Sequence, residues 1–166
     1  DGNTLRTQVG AGPMTGGMSR TTEVRDGDID NSVMAHEWGH YISNRLVFNA
    51  NGLGSNMSRG LGEGWADTHA MLMTVRAGDD LEPTNATWNG VYAAAAYSAA
   101  GFARGNPYYY GIRRYPYSTD MTKNPLTFKH IGDGNALPVG PPVNGNTSTN
   151  SEVHNTGEVW TSMLWE

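Results

Sequence analysis

The run His36-Glu37-Trp38-Gly39-His40, inside VMAHEWGHYISNRL (residues 33–46), constrains this chain more than any other feature. Histidines four apart share one face of a helix, so both imidazoles can aim at a single ion. Glu37 lies about 100° around from His36. That puts it beside the face, within reach of a water at the ion and outside the ligand set. Two histidines at this spacing also occur on ordinary amphipathic helices, so the deciding residues lie downstream.

A zinc ion held by histidines and a carboxylate keeps one position open for water and lowers that water's pKa toward about 7. Glu37 can take the proton as the water attacks a carbonyl carbon, then deliver it to the leaving amine. Zinc hydrolases of this kind draw a third ligand from a second helix. GLGEGWAD (residues 60–67) offers Glu63 at the start of such a helix and Asp67 one turn on. Asp67 can accept a hydrogen bond from the free ring nitrogen of a ligating histidine and fix its tautomer. Gly62 and Gly64 leave room for the two helices to approach. The helix dipole also gathers acidic residues at N-termini, which explains the acidity but not its pairing with HEWGH. His154, in EVHNTGEVW, can donate to the oxyanion that forms as water adds to a peptide carbonyl. His69 and His130 have no partner at ligand spacing and read as structural.

The bulk properties narrow the alternatives. A chain of 166 residues suits one domain. A net charge of -5 with no basic patch argues against a nucleic-acid or anionic-membrane partner. No apolar run approaches the roughly 18 residues that span a bilayer. The absence of cysteine excludes disulfides and thiolate metal sites. With 22 glycines, 8 prolines and 16% charged residues, long structured loops are expected. Residue 1 is not methionine and no signal peptide is visible, so the chain reads as processed or cut from a longer one.

Along the chain, residues 1–25 read as irregular with a short strand at TTEVR, and Asp30 or Asn31 caps a helix to about Val47. Residues 48–60 read as a loop. A second helix is expected from about Leu61 to Arg76, and an alanine-rich third from about Val91 to Arg104. Residues 105–150 have no sustained periodicity and read as an ordered functional wall. A last helix begins near His154 and is still amphipathic where the chain stops, as in a fragment. Asp26, Asp28 and Asp30, or the surroundings of Asp133, suit a hard cation such as Ca2+. The first group lacks the glycine and distal glutamate of an EF-hand loop, so cap and turn chemistry is the preferred reading.

Taken in order, HEWGHYISNRL, GLGEGWAD, GIRRYPYSTD, NPLTF and VHNTGEVWTSMLWE resemble the fungalysin family of secreted zinc endopeptidases, relatives of thermolysin. The resemblance implies His36, His40 and Glu63 as zinc ligands, Glu37 as catalytic base, Asp67 as the residue orienting a ligand, and His154 as transition-state donor. It also implies that Arg113 bonds a substrate carbonyl, although Arg114 is adjacent and either could serve; a structural salt bridge is the competing reading. Departures from the family pattern are Tyr41 in place of a glycine after the second histidine, and VFNANG where TGG usually stands. Thermolysin also has an oxyanion-holding tyrosine between the second histidine and the glutamate. Here only Tyr41, on the helix itself, falls in that interval.

The expected fold is α+β and predominantly helical, a zincin-like core on two metal-binding helices. Residues 1–166 would be one domain, part of a catalytic domain whose β-rich upstream and helical downstream regions are missing. The expected function is zinc-dependent hydrolysis of internal peptide bonds in a secreted, extracellular, monomeric protein. Its partners would be a protein or peptide substrate and, in a longer precursor, an inhibitory propeptide. The alternative is a non-catalytic zinc-binding fragment without a complete substrate cleft. A zinc aminopeptidase ranks lower, since the G-x-M-E-N motif for a free amine is absent.

Overall fold

The computed structural model describes residues 25–79, 81, 90–100, 107–138 and 149–166. Among them the architecture is almost wholly helical, and the only strand-like pairing is an isolated antiparallel bridge between Tyr92 and Tyr117. The β component expected from sequence is reduced to that bridge among these residues, and the strand expected at TTEVR lies outside them apart from Arg25.

Helix α1 (Asn31–Leu46) begins where a buried aspartate can serve it. Asp30 accepts from the Ser32 amide at 3.0 Å and the Ser32 hydroxyl at 2.7 Å. Its other oxygen accepts from the amide and hydroxyl of Ser98, at 3.0 and 3.1 Å. One carboxylate therefore caps α1 and ties the helix to a segment far along the chain. Asp26 and Asp133 are likewise taken by protein donors, the Asp28 amide and the amide and hydroxyl of Ser151. These contacts give the aspartates the cap and turn roles and lend calcium no support.

Helix α2 (Asn56–Thr74) starts five residues earlier than the sequence suggests. Ser55 and Ser58 cap it reciprocally: the Ser58 amide donates to Ser55 Oγ at 3.2 Å, and the Ser55 amide to Ser58 Oγ at 2.9 Å. Serine at the position usually held by Glu or Gln, followed by three spaced glycines, hides that start. Those glycines belong inside the helix because they let it touch its neighbours.

The alanine-rich helix is a larger correction. Residues 91–95 are not helical, and the only helix in the described part of this stretch is α3 (Ala96–Ala100). The amides of Tyr92 and Tyr117 each donate to the other's carbonyl at 2.8 Å, Ile112 donates to the Ala94 carbonyl at 2.9 Å, and Ala95 turns at φ 55°. Tertiary hydrogen bonds override alanine's helix propensity here. A short α4 (Pro107–Tyr110) and a 3-10 turn at Phe128–Ile131 follow, then α5 (Val153–Trp165).

Helix α2 lies at the centre, packed against α1 on one side and α5 on the other. A Cβ on Gly39 would sit 2.8 Å from the Ala66 Cα, so α1 and α2 cross at backbone contact. Gly64, expected to admit α1, instead faces α5, where its carbonyl accepts from the Thr161 hydroxyl at 2.8 Å. The ordered wall is pinned to α5 by Arg114. Its backbone amide and Nε donate to the two carboxylate oxygens of Glu158 at 2.6 and 2.7 Å, with both side chains buried.

Candidate metal centre

His36 and His40 stand one above the other on α1, with ring centroids 4.5 Å apart and planes at 87°. Across the Gly39–Ala66 contact, Glu63 projects from the third turn of α2. Its Oε2 lies 3.3 Å from His36 Nε2 and 3.4 Å from His40 Nε2. These three residues form the one group of potential metal ligands among the described residues. Because α2 starts at Asn56, Glu63 is too far from the N-terminus for the helix dipole to account for it.

The second nitrogen of His36 is fixed by Asp67. His36 Nδ1 lies 2.6 Å from Asp67 Oδ1, and Asp67 is 2% exposed. Arg113 grips the same carboxylate, Nε to Oδ2 at 2.7 Å and Nη2 to Oδ1 at 2.8 Å. The Tyr117 hydroxyl also donates to Oδ2. Burial alone would raise the Asp67 carboxyl, but the Arg113 guanidinium and then His36 hold it well below the usual carboxylate range. An ionised Asp67 leaves Nδ1 of His36 as the donor, so Nε2 is the nitrogen that faces Glu63 and offers a lone pair to the ligand space once its own proton is lost.

Electrostatics around Glu63 follow the same pattern. Burial opposes its charge, yet the imidazoles of His36 and His40 hold the carboxyl well below its ordinary value. Burial pulls the His36 pKa down, and hydrogen bonding to Asp67 and proximity to Glu63 outweigh it, so the metal-free imidazole is raised to about 9. A cation entering the site displaces that proton.

Zinc fits these residues. Glu63 Oε2 is buried and has no hydrogen-bond partner, which is costly for a carboxylate oxygen unless a cation satisfies it. Two imidazole nitrogens at 3.3 and 3.4 Å from that oxygen make a His2Glu donor set of the kind zinc takes.

The remaining expected residues border this centre. Glu37 is exposed on α1, next to His36. His154 is at the start of α5, with its side chain 46% exposed and Nε2 3.5 Å from Glu63 Oε2, yet it falls outside the ligand group. Its Nδ1 is held 2.6 Å from Glu152 Oε1. Glu152 also caps α5, accepting from the amides of His154 and Asn155 at 3.1 and 3.2 Å. An acid two residues before the histidine was the available signal for it. Arg113 is buried on Asp67, in the ion pair that the sequence left as one of two readings. Arg114 points instead to Glu158, Asn150 and the Asn155 carbonyl. Tyr41 is exposed and stacked on Trp38 at 5.0 Å. Neither His69 nor His130 joins the ligands.

The family model for fungalysin metallopeptidase (M36) matches residues 13–166. The chain belongs to this family. Its relatives include the extracellular metalloproteinase mep of Aspergillus terreus, 34% identical over 145 residues, which span 86% of this chain and 18% of that protein. Extracellular metalloproteinase 10 of Coccidioides posadasii is 35% identical over 151 residues, covering 89% of this chain and 19% of the relative. Extracellular metalloproteinase 2 of Trichophyton rubrum is 33% identical over 147 residues, covering 86% and 18%. The chain thus spans less than a fifth of the length of these relatives. Membership of a metallopeptidase family agrees with the His36–His40–Glu63 group. Among the described residues no helix is long and apolar enough to cross a membrane.

Proposed function

We propose that this chain carries the zinc centre of an extracellular endopeptidase that hydrolyses internal peptide bonds of protein or peptide substrates, and that residues 1–166 form one part of its catalytic domain. The observation that carries this reading is the buried, unpartnered Glu63 Oε2 beside two histidine Nε2 atoms, in a chain of the fungalysin family. The extracellular setting rests on the names of the relatives.

His36, His40 and Glu63 hold the ion, and Asp67 keeps His36 in the tautomer that can do so. Bound zinc supplies Lewis acidity and makes water a nucleophile near neutral pH. Glu37, exposed beside His36 and outside the ligand set, takes a proton from the attacking water and returns it to the leaving amine. His154 donates a hydrogen bond to the oxyanion, its ring oriented by Glu152 at Nδ1. Arg113 keeps the reading of substrate-carbonyl donor that the family suggests, in addition to its grip on Asp67.

Cleavage of an internally quenched peptide by the zinc-loaded chain tests the proposal, with Glu37→Gln as control. Turnover should fall by about 10²–10⁴-fold in the variant while zinc stays bound. Equal activity in both chains would remove Glu37 as the base. A second reading, zinc binding without a complete cleft, draws on the exposure of Trp38, Tyr41 and Glu37 around the centre, since a working cleft excludes water. Bound zinc with no turnover would favour it.

A further inference from the structure

We propose that Tyr117 is a positioning residue for the metal centre, its hydroxyl fixing the Asp67 carboxylate whose other oxygen holds His36. This rests on the zinc reading of His36, His40 and Glu63.

Asp67 has two oxygens with room for about four donors, and four arrive. Oδ1 takes His36 Nδ1 and Arg113 Nη2, while Oδ2 takes Arg113 Nε and the Tyr117 hydroxyl. The carboxylate is saturated and is 2% exposed, so no water is needed to complete it. The direction in which Oδ1 faces His36 is then set by whichever of the other donors is stiffest.

Arg113, itself buried, grips both oxygens through a side chain with more rotatable bonds than tyrosine's. Tyr117 is the stiffer of the two. Its backbone is paired both ways with Tyr92, amide to carbonyl at 2.8 Å in each direction. Its ring is 1% exposed and packs with Met71 and Ala94, against which Tyr92 and Trp165 also lie. Met71 sits one turn beyond Asp67 on α2, so ring and hydroxyl meet the same helix at successive turns. The phenol is therefore a fixed post. The sequence distance of 50 residues between Tyr117 and Asp67 brings the ordered wall directly onto the ligand helix.

A buried tyrosine hydroxyl needs some acceptor whatever its role, so the test must separate positioning from simple satisfaction. Zinc dissociation constants are measured by competition with a chromophoric chelator for the unsubstituted chain, Tyr117→Phe, Asp67→Asn and the double variant. Unfolding midpoints of the metal-free forms are measured alongside. Tyr117→Phe should weaken zinc about threefold to tenfold, at or below the 10–100-fold typical of a ligand's own hydrogen-bond partner. In the Asp67→Asn background the same change should add nothing, because its route to His36 runs through Asp67.

A lower midpoint with zinc affinity unchanged would show a merely structural hydroxyl and overturn the proposal, as would independent, multiplying losses in the double variant. Should the Phe variant fold poorly, the unsubstituted chain answers by NMR. The protected Tyr117 hydroxyl proton should shift on zinc loading, and a resonance indifferent to zinc would be equally fatal. If the unsubstituted chain binds no zinc, the metal reading itself fails, an outcome distinct from tight and equal binding in both chains.

Discussion

Gly157 of α5 presses against Glu63 of α2 so closely that a Cβ on the glycine would stand 2.6 Å from the Glu63 Cβ. The ligand is thus placed by a helix that contributes no ligand. Gly157→Ala should cost about 1–3 kcal/mol of stability through overpacking and also weaken zinc, because the strain is relieved by moving Glu63. Gly60→Ala supplies the comparison: its Cβ would meet Thr156 Cγ2 at 2.6 Å in the same helix interface, away from the ligand. Denaturant unfolding and zinc titration of both variants separate the effects. Equal loss of zinc affinity in the two would mean that the interface as a whole, rather than the Glu63 contact, governs the site.

Removing the carboxylate tests the ligand set directly. Glu63→Ala takes away one of three donors and should lower zinc affinity by far more than any change outside the set. The metal-free variant should also lose some stability, because the imidazoles of His36 and His40, 3.3 and 3.4 Å from Glu63 Oε2, hold that carboxyl well below its ordinary value in the folded chain. Unchanged zinc stoichiometry and affinity in a chelator competition would exclude Glu63 as a ligand.

His154 should behave in the opposite way. It lies 3.5 Å from Glu63 Oε2 and yet outside the ligand group, so His154→Ala should bind one zinc per chain and lose turnover by about 10²–10³-fold, as when an oxyanion donor is removed. Glu152→Gln, which leaves an acceptor beside Nδ1 without the charge, should lose less. A marked drop in zinc affinity for His154→Ala would make it a fourth ligand.

These contrasts track what the sequence could reveal. His36 and His40 are legible as one face because a single helical turn contains all the geometry they need. Glu63 and Asp67 are nearly as legible, being one turn apart on a second helix. Tyr117 and Arg113 are hidden as partners of Asp67 because tertiary folding brings them there from 50 and 46 positions away. The helix expected at residues 91–95 fails for a related reason: alanine favours helix locally, but Tyr117, Ile112 and Ser32 take up the backbone groups of Tyr92, Ala94 and Ala95. The start of α2 is obscured by Ser58 and by glycines whose value lies in contacts made across helices.

His130, outside the group of metal ligands, gives a prediction in pH. It is 2% exposed, and its Nδ1 accepts the Thr127 amide at 2.8 Å, a bond available only to an unprotonated nitrogen. Burial and then the neighbouring Lys129 charge push its pKa below the ordinary 6.5, with Arg114 adding in the same sense. A histidine whose folded pKa is depressed contributes stability that is full above about pH 6.5 and is lost as pH falls through the folded value. In the metal-free chain, His130→Asn keeps an acceptor for Thr127 but cannot titrate. The stability advantage of the unsubstituted chain over this variant, measured by urea unfolding, should therefore be largest near pH 7 and shrink toward pH 5. A difference that stays constant across that range would mean that His130 takes up its proton as easily folded as unfolded, and that the Thr127 bond does not hold it neutral.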